Sequence, residues 1–157
     1  MFGAEAECRV QMNHGDLSDK PVPGAFRSLV VWQKAQGLAA AIVELVAALP
    51  RDRATDAIVA QLIRSAGSIP ANVAEGYGRF ADGAYRNHLS IARGSLFETE
   101  SWIDLLIRLN RVEMAEGGRL ARRCEEVSRL ITATMRSLPG SAARRIREEG
   151  GDYDASF

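Results

Sequence analysis

Apolar residues recur every three or four positions along four stretches of this chain, the spacing that places one buried stripe on an α-helix. In the first stretch the apolar period starts after Ser28, a candidate N-cap, and stops at Pro50. In the second it starts after Asp52, another candidate N-cap. The pattern predicts a first helix over 29–49 and a second over 53–76.

A proline interrupts the second predicted helix. Pro70 cannot donate a hydrogen bond to the carbonyl of Ala66, and it is expected to kink the helix at a cost of about 3 kcal/mol if nothing compensates. Ser68 or a neighbouring helix is the candidate partner for the freed carbonyl. Gly76 and Gly78 then break the apolar period, and Gly76 is better interpreted as a helix end than as part of a nucleotide-binding loop.

The third and fourth stretches predict the two remaining helices. The third is the longest and has a seven-residue apolar repeat, and Asn110 can close it in the left-handed conformation. The fourth continues to Leu138, but Gly117 and Gly118 weaken its first turn and leave its start open. Four amphipathic helices joined by short loops each have an apolar stripe to bury. The chain is therefore predicted to be all-α, an antiparallel up-down-up-down four-helix bundle.

The two ends of the chain lack this apolar period. At one end, glycine and proline are scattered among polar residues, and at the other a Pro-Gly pair stops the fourth helix. The prediction is a flexible N-terminal extension over 1–25, the four-helix bundle over 26–138 and a flexible C-terminal tail over 139–157.

Composition supports the helical prediction and adds a modest charge asymmetry. Hydrophobic residues make up 46% of the chain and aromatic residues 6%, a balance that favours helices over sheets. The formal net charge is zero, yet residues 26–138 contain fifteen Lys and Arg against twelve Asp and Glu. The predicted bundle is therefore mildly basic. Arginine supplies most of the basic residues, which suits phosphate recognition but equally fits a GC-rich genome.

Residues that commonly carry catalysis or bind metals are scarce. Neither His14 nor His88 has the Glu three residues earlier that a dimetal bundle uses, and His88 lacks the arginine spacing of a helical ribonuclease. Cys8 and Cys124 do not make a disulfide framework or a metal cluster. No apolar run resembles a membrane span or a signal peptide. The sequence thus predicts a cytoplasmic protein that is not an enzyme and that binds no metal or cofactor.

A polar motif interrupts the apolar stripe of the second helix. Its residues lie four, three and four positions apart, so they share one helix face and can form a hydrogen-bonded ladder. They are Ser68, Asn72, Glu75 and Arg79, with Arg64 one turn earlier. Such a ladder could fix the helix register beside the proline, or it could contact a partner directly. The sequence leaves both interpretations open.

The same motif resembles a family of four-helix-bundle proteins first known from intervening sequences of bacterial 23S rRNA genes. Three segments carry the resemblance: an aromatic and Val-Trp opening, a centre that contains Ser-Ile-Pro and Ala-Glu-Gly, and a Gly-Ser motif in the third helix. The matching residues are Phe26, Leu29, Val31, Trp32, Ala35, Arg64, Ser68, Ile69, Pro70, Asn72, Ala74, Glu75, Gly76, Arg79, Ala92, Gly94, Ser95 and Glu98. Val73 departs from the isoleucine of the family pattern.

The resemblance implies properties that the apolar period does not show. Members of the family form ring-shaped homopentamers. One branch, the accessory protein of diversity-generating retroelements, binds nucleic acid and the partner reverse transcriptase through a basic surface. We therefore expect a non-enzymatic homo-oligomer that binds nucleic acid, RNA above all, and a reverse transcriptase. The alternative is a protein–protein scaffold of the rRNA intervening-sequence type that makes no direct contact with nucleic acid.

Two rows of arginine are candidates for the phosphate contacts. Members of each row are spaced seven residues apart, with two on the third helix and three on the fourth; those of the fourth point away from its apolar stripe, and Arg119 lies near them. The candidates are Arg86, Arg93, Arg119, Arg122, Arg129 and Arg136. Repeated around a ring, such rows would form a multivalent phosphate-binding surface. A solvated helix face is the other interpretation.

A glycine lies inside the third predicted helix. Gly94 costs about 1 kcal/mol relative to alanine at such a position. We interpret it as a place of close helix approach or subunit contact, so its role is packing rather than chemistry.

Overall fold

The computed structural model describes residues 25–79 and 81–139, which form helices and no strand. The elements are a 3-10 helix Phe26–Ser28, α1 Val30–Ala47, α2 Arg53–Tyr77, α3 Asp82–Arg108 and α4 Met114–Ser137. The four predicted helices are confirmed, and α4 begins before the two glycines that had left its start open. The predicted N-terminal extension and C-terminal tail lie almost wholly outside the described residues.

Each helix packs against its neighbour in the chain, and α1 also packs against α4. α2 and α3 make the most extensive contact of these pairs. The apolar stripes meet in one core, whose largest fully buried side chains include Leu38, Ile42, Leu62, Ile69, Leu89, Leu96, Leu106, Leu120 and Ile131. Each such side chain contributes roughly 1.5–3 kcal/mol of burial. The all-α prediction is confirmed, and the up-and-down direction of the helices stays a prediction.

Asp52 and Asn110 lie at helix termini, as predicted. Asp52 caps α2, because its carboxylate accepts hydrogen bonds at 3.0 Å from the backbone N–H groups of Ala54 and Thr55. These bonds, the one from Thr55 foremost, hold the pKa of Asp52 below its usual value. Asn110 follows α3 with a φ of 53°, the left-handed conformation that was predicted for it.

The prediction that Ser28 caps α1 is wrong. Ser28 lies in the 3-10 helix, where its hydroxyl donates to the carbonyl of Ala25 at 2.7 Å. Leu29 takes the N-cap position without a side-chain hydrogen bond. The entry of the chain into α1 is fixed by packing instead, since the rings of Phe26 and Trp32 meet edge to face with centroids 5.1 Å apart.

α2 continues without a break through Pro70, which is buried. The hydroxyl of Ser68, a predicted partner for the carbonyl of Ala66, is bonded instead to the side chains of Asn72 and Ser95. The Asn72 amide also donates to the backbone carbonyl of Ser68 at 2.9 Å. The proline therefore sits beside a polar cluster that joins α2 to α3.

Glycines of α3 and α4 differ in what surrounds them. A Cβ at Gly117 would collide with the side chain of Ile107, so this glycine lets α4 approach α3 closely. A Cβ at Gly94 would meet no atom within 4 Å. Close helix approach is thus ruled out for Gly94 within residues 25–79 and 81–139, and a subunit contact there stays a prediction.

α1 is apolar around most of its circumference. Its 18 residues have a mean hydropathy of 1.2, so it is long and apolar enough to cross a membrane, contrary to the expectation that no run would be. Lys34 and Glu44 are its charged residues. One side of the helix packs into the bundle core, and Val30 and Val43, which lie on opposite flanks of that side, are exposed by 55% and 52%. Apolar side chains of α1 are therefore left uncovered by the rest of the described chain on both flanks of the core.

Candidate nucleic-acid interface

The four arginines predicted on α4 are all exposed, and they lie on the side away from its buried residues. We call Arg119, Arg122, Arg129 and Arg136 the α4 arginine face. Arg119 pairs with Glu116, and Arg129 lies 3.0 Å from Glu125. Among the described residues, no carboxylate pairs with Arg122. With five Arg and three Glu, α4 carries a net charge of +2.

The ion pairs on this face are weak obstacles to a ligand. Both join residues one turn apart on an exposed helix surface, where such a pair is worth about 0–1 kcal/mol. A phosphate that offers a bidentate contact to a guanidinium can therefore replace the glutamate at little cost. The face is partly neutralised but remains available to an anion.

The arginines of α3 do not extend this face in the same way. Arg86 is half-buried, and its Nη2 donates to the backbone carbonyls of Leu138 and Pro139 at 3.0 and 2.8 Å. It fastens the first turns of α3 to the end of α4, which is a structural role and leaves it poorly placed for phosphate. Arg93 is exposed and stacks over the ring of Phe97 at 5.4 Å.

A groove of about 610 Å³ runs between α1 and α4, and one end of the α4 arginine face forms its wall. Sequence reasoning missed one of its arginines, Arg123, whose Nη1 donates to the carbonyl of Gly37 on α1 at 3.4 Å. Arg123 has no arginine seven residues away, so it fell outside the predicted row. Lys34 and Glu126 bridge the two helices at 2.8 Å.

The predicted ladder on α2 exists as two pairs that α3 connects. The Asn72 amide donates to the Ser68 hydroxyl at 3.0 Å, and Arg79 donates to Glu75 at 2.5 Å. His88 of α3 stands between the pairs, with Nδ1 3.3 Å from Asn72 Oδ1 and Nε2 3.8 Å from Glu75 Oε1. Sequence reasoning considered His88 only as a metal ligand or a catalytic residue, and its place beside Asn72 depends on how α2 and α3 align.

Further polar pairs join the same two helices, and we call the whole set the α2–α3 seam. Ser95 bonds to Ser68 at 3.0 Å, and the buried hydroxyls of Thr99 and Ser65 are also 3.0 Å apart. Glu98 accepts from Arg64 at 3.2 Å and from the Trp102 indole at 3.3 Å. Because these polar groups satisfy one another, the seam fixes the register of α2 against α3, which favours the structural interpretation of the motif.

The seam also predicts how stability responds to acid. The hydrogen bond from Arg79, followed by the nearby His88, holds the pKa of Glu75 below its usual 4.5. The ionised carboxylate therefore stabilises the fold above pH 4.5, and this contribution is lost as the pH falls through the folded-state pKa. We expect Glu75→Gln to show a shallower loss of stability than the wild type in urea titrations at decreasing pH. Glu44→Gln, at an exposed position outside the seam, should follow the wild-type curve; identical curves for all three proteins would contradict the role of Glu75.

Two buried titratable side chains of the core have raised pKa values. Burial, with a smaller contribution from Glu100, raises the pKa of the Cys124 thiol to about 12, so it stays protonated and behaves as a small core residue. Burial also raises the pKa of Tyr85. Across residues 25–79 and 81–139, no three His, Cys, Asp or Glu side chains are grouped as a metal site.

Comparison with known proteins places this geometry in a family. The family described as 23S rRNA-intervening sequence protein matches residues 27–133. A crystal structure from Bacteroides thetaiotaomicron VPI-5482, described as a protein with unknown function from the S23 ribosomal protein family, is 28% identical, covers 69% of this chain and 100% of its own, and superposes with a TM-score of 0.64. No curated protein sequence matches the chain. Because the matched residues include the α2–α3 seam and reach into all four helices, the chain belongs to the 23S rRNA-intervening sequence protein family.

Proposed function

We propose that this protein is a non-enzymatic cytoplasmic accessory protein that self-associates and binds nucleic acid through the α4 arginine face. The proposal is supported by the exposed guanidinium of Arg122, which has no carboxylate partner among the described residues, and by its neighbours Arg119 and Arg129, whose ion pairs are weak. Phosphate contacts supply most of the affinity in sequence-independent binding, and arginine is suited to them. RNA is the proposed ligand and a reverse transcriptase the proposed protein partner, as the family resemblance implies.

Self-association would strengthen a surface that is only modestly basic in one copy. A net charge of +2 on one α4 helix provides few phosphate contacts. Copies arranged around an axis, five in a homopentamer, would present the same face repeatedly, so one nucleic acid could engage several faces at a high effective concentration. The binding surface then depends on the assembly.

The proposed association surface is the α1/α2 face, formed by Val43, Val46, Ala47, Val59, Ala60 and Ile63. These residues line a groove of about 440 Å³, and Val43 and Ile63 are exposed by 52% and 40%. The charged residues beside the groove, Arg51 and Asp56, pair with each other at 2.8 Å. In a ring, the α1/α2 face of one copy would pack against a different face of the next copy, and a neutral apolar face can do so without like-charge repulsion.

Titration of nucleic-acid binding against salt tests the proposal. The wild type should bind structured RNA in a filter assay at low salt, with affinity falling steeply as salt rises. Arg122→Ala should bind more weakly, and the slope of log K against log salt should fall by about 0.7–0.9 for each phosphate that the variant no longer neutralises. Arg53→Ala removes the same charge from an exposed position at the start of α2, outside the α4 arginine face, and should match the wild type. Absence of binding to both RNA and DNA at low salt would remove the proposal.

The intrahelical pairs of Arg119 with Glu116 and Arg129 with Glu125 support a second candidate, a protein–protein scaffold. A face of alternating charge can pair with a charged protein surface as well as with phosphate. A reverse transcriptase that remains bound after nuclease treatment, together with no direct nucleic-acid binding, would favour this candidate.

A further inference from the structure

The groove between α1 and α4 has an apolar floor and charged rims. Leu45 and Ala41 of α1 and Leu120 of α4 form the floor of its larger part. A smaller part of about 240 Å³ lies beside it along the helix pair; Arg123 and Glu126 line both parts and bond across to Gly37 and Lys34 of α1. We call the whole the α1/α4 groove.

Most charges on its rims are already paired, but one of each sign is not. Arg119 pairs with Glu116, and Lys34 pairs with Glu126. Within the described part of the chain, Arg122 on the α4 rim has no carboxylate partner, and Glu44 on the α1 rim has no basic partner. The groove therefore offers an anion site on one side, a hydrogen-bond acceptor on the other, and an apolar surface between them.

We propose that the α1/α4 groove holds one unpaired nucleotide whose base carries an exocyclic amino group. Arg122 would bind its phosphate, the flat base would cover the apolar floor, and Glu44 would accept from the amino group, as carboxylates do from cytosine N4. A volume of about 610 Å³ is within the range of small-ligand sites. The inference rests on the proposed nucleic-acid binding and adds that the bound strand is locally single.

A base in a duplex could not make the contacts proposed for this groove. In an RNA duplex one hydrogen of each cytosine or adenine amino group is bonded to the opposite strand, the other lies in a major groove too deep and narrow for side chains to reach, and the base faces are stacked on their neighbours. An unpaired base exposes both its face and its Watson–Crick edge. The geometry thus favours single-stranded segments, loops or bulges over continuous helix.

Fluorescence anisotropy with labelled oligonucleotides tests this inference on the full chain. We expect single-stranded oligo(C) to bind at least about fivefold more tightly than oligo(U) of the same length, the effect of one good base contact. Glu44→Ala should abolish this ratio, even if removal of a negative charge tightens binding of both. Asp104→Ala makes the same charge change on the exposed side of α3, outside the groove, and should keep the ratio.

A second variant fills the larger part of the groove without altering its charge. Ala41 lines that part and is half-buried, so Ala41→Leu adds bulk where the base would lie, and circular dichroism checks that the helices are retained. The variant is expected to bind oligo(C) at least about fivefold more weakly and to bind a duplex of equal length as the wild type does.

The outcomes distinguish failure of the groove proposal from failure of the proposed function. Equal affinity for oligo(C) and oligo(U), or a preference that survives Glu44→Ala, overturns the groove while Arg122-dependent binding would still support the α4 arginine face. Absence of binding to any oligonucleotide overturns both.

Discussion

Replacing Gly76 with alanine is expected to lower the free energy of unfolding by about 2 kcal/mol, although alanine is the better helix former. A Cβ at this position would stand 2.6 Å from the Cβ of His88 and 2.8 Å from Cδ2 of Tyr85. The Cβ of His88 cannot rotate away, so α2 or α3 must shift. Overpacking of this kind costs about 3 kcal/mol, and the helix propensity of alanine returns about 1 kcal/mol. Urea denaturation followed by circular dichroism measures the difference.

Two other glycines of the same helix pair provide the control. A Cβ at Gly67 of α2 or at Gly94 of α3 would meet no atom within 4 Å. Gly67→Ala and Gly94→Ala should therefore raise stability by up to about 1 kcal/mol, since only helix propensity changes. A Gly76→Ala protein as stable as these two would show that close packing of α2 on α3 does not require the glycine.

Gly76 has a second role that the sequence pattern did not show. The helix end predicted at Gly76 and Gly78 is confirmed, since α2 ends at Tyr77 and Gly78 is its C-cap. Gly76 is buried because α3 crosses close to it. A helix-ending glycine and a close-contact glycine look alike in one sequence, because the second depends on a neighbour that lies outside the local pattern.

Apolar periodicity predicted the helices and the core well. The seven-residue repeat of α3, from Tyr85 through Leu96 to Leu106, is the buried side of that helix, and it includes Thr99. Burial of this kind follows from the geometry of one helix, since residues three and four apart share a face. The outward direction of the α4 arginines followed from the same geometry.

Contacts between helices could not be predicted in the same way. The hydrogen bonds of Arg86 to carbonyls more than fifty residues away, and the position of His88 beside Asn72, depend on the axial alignment of two helices. The α1/α4 groove depends on how far apart those two helices lie, and Glu44 gave no signal in the sequence. Local periodicity specifies which face is buried, but not which residue of the next helix meets it.

Placing glutamates on the α1/α2 face is expected to convert the proposed oligomer into monomers. The double variant Val43→Glu, Ile63→Glu would bury two unpaired charges in each interface that contains this face. We expect each interface to be weakened by at least about 3 kcal/mol, roughly a hundredfold or more in association constant. Both side chains are exposed in the single chain, so the fold itself should be retained. Sedimentation velocity gives the mass, and circular dichroism checks the helices.

A matched substitution on another helix tests whether dissociation is specific to the α1/α2 face or follows from placing a glutamate at any exposed apolar position. Ile91 of α3 is exposed by 44%, close to the exposure of Ile63, but it lies outside the α1/α2 face. Ile91→Glu should keep the wild-type mass. A folded double variant that also keeps it would show that assembly uses another surface, and dissociation by Ile91→Glu alone would assign that surface to α3. Because the α4 arginine face is untouched in the double variant, its salt-dependent binding to RNA should persist with a smaller slope, as expected when one face acts without its copies.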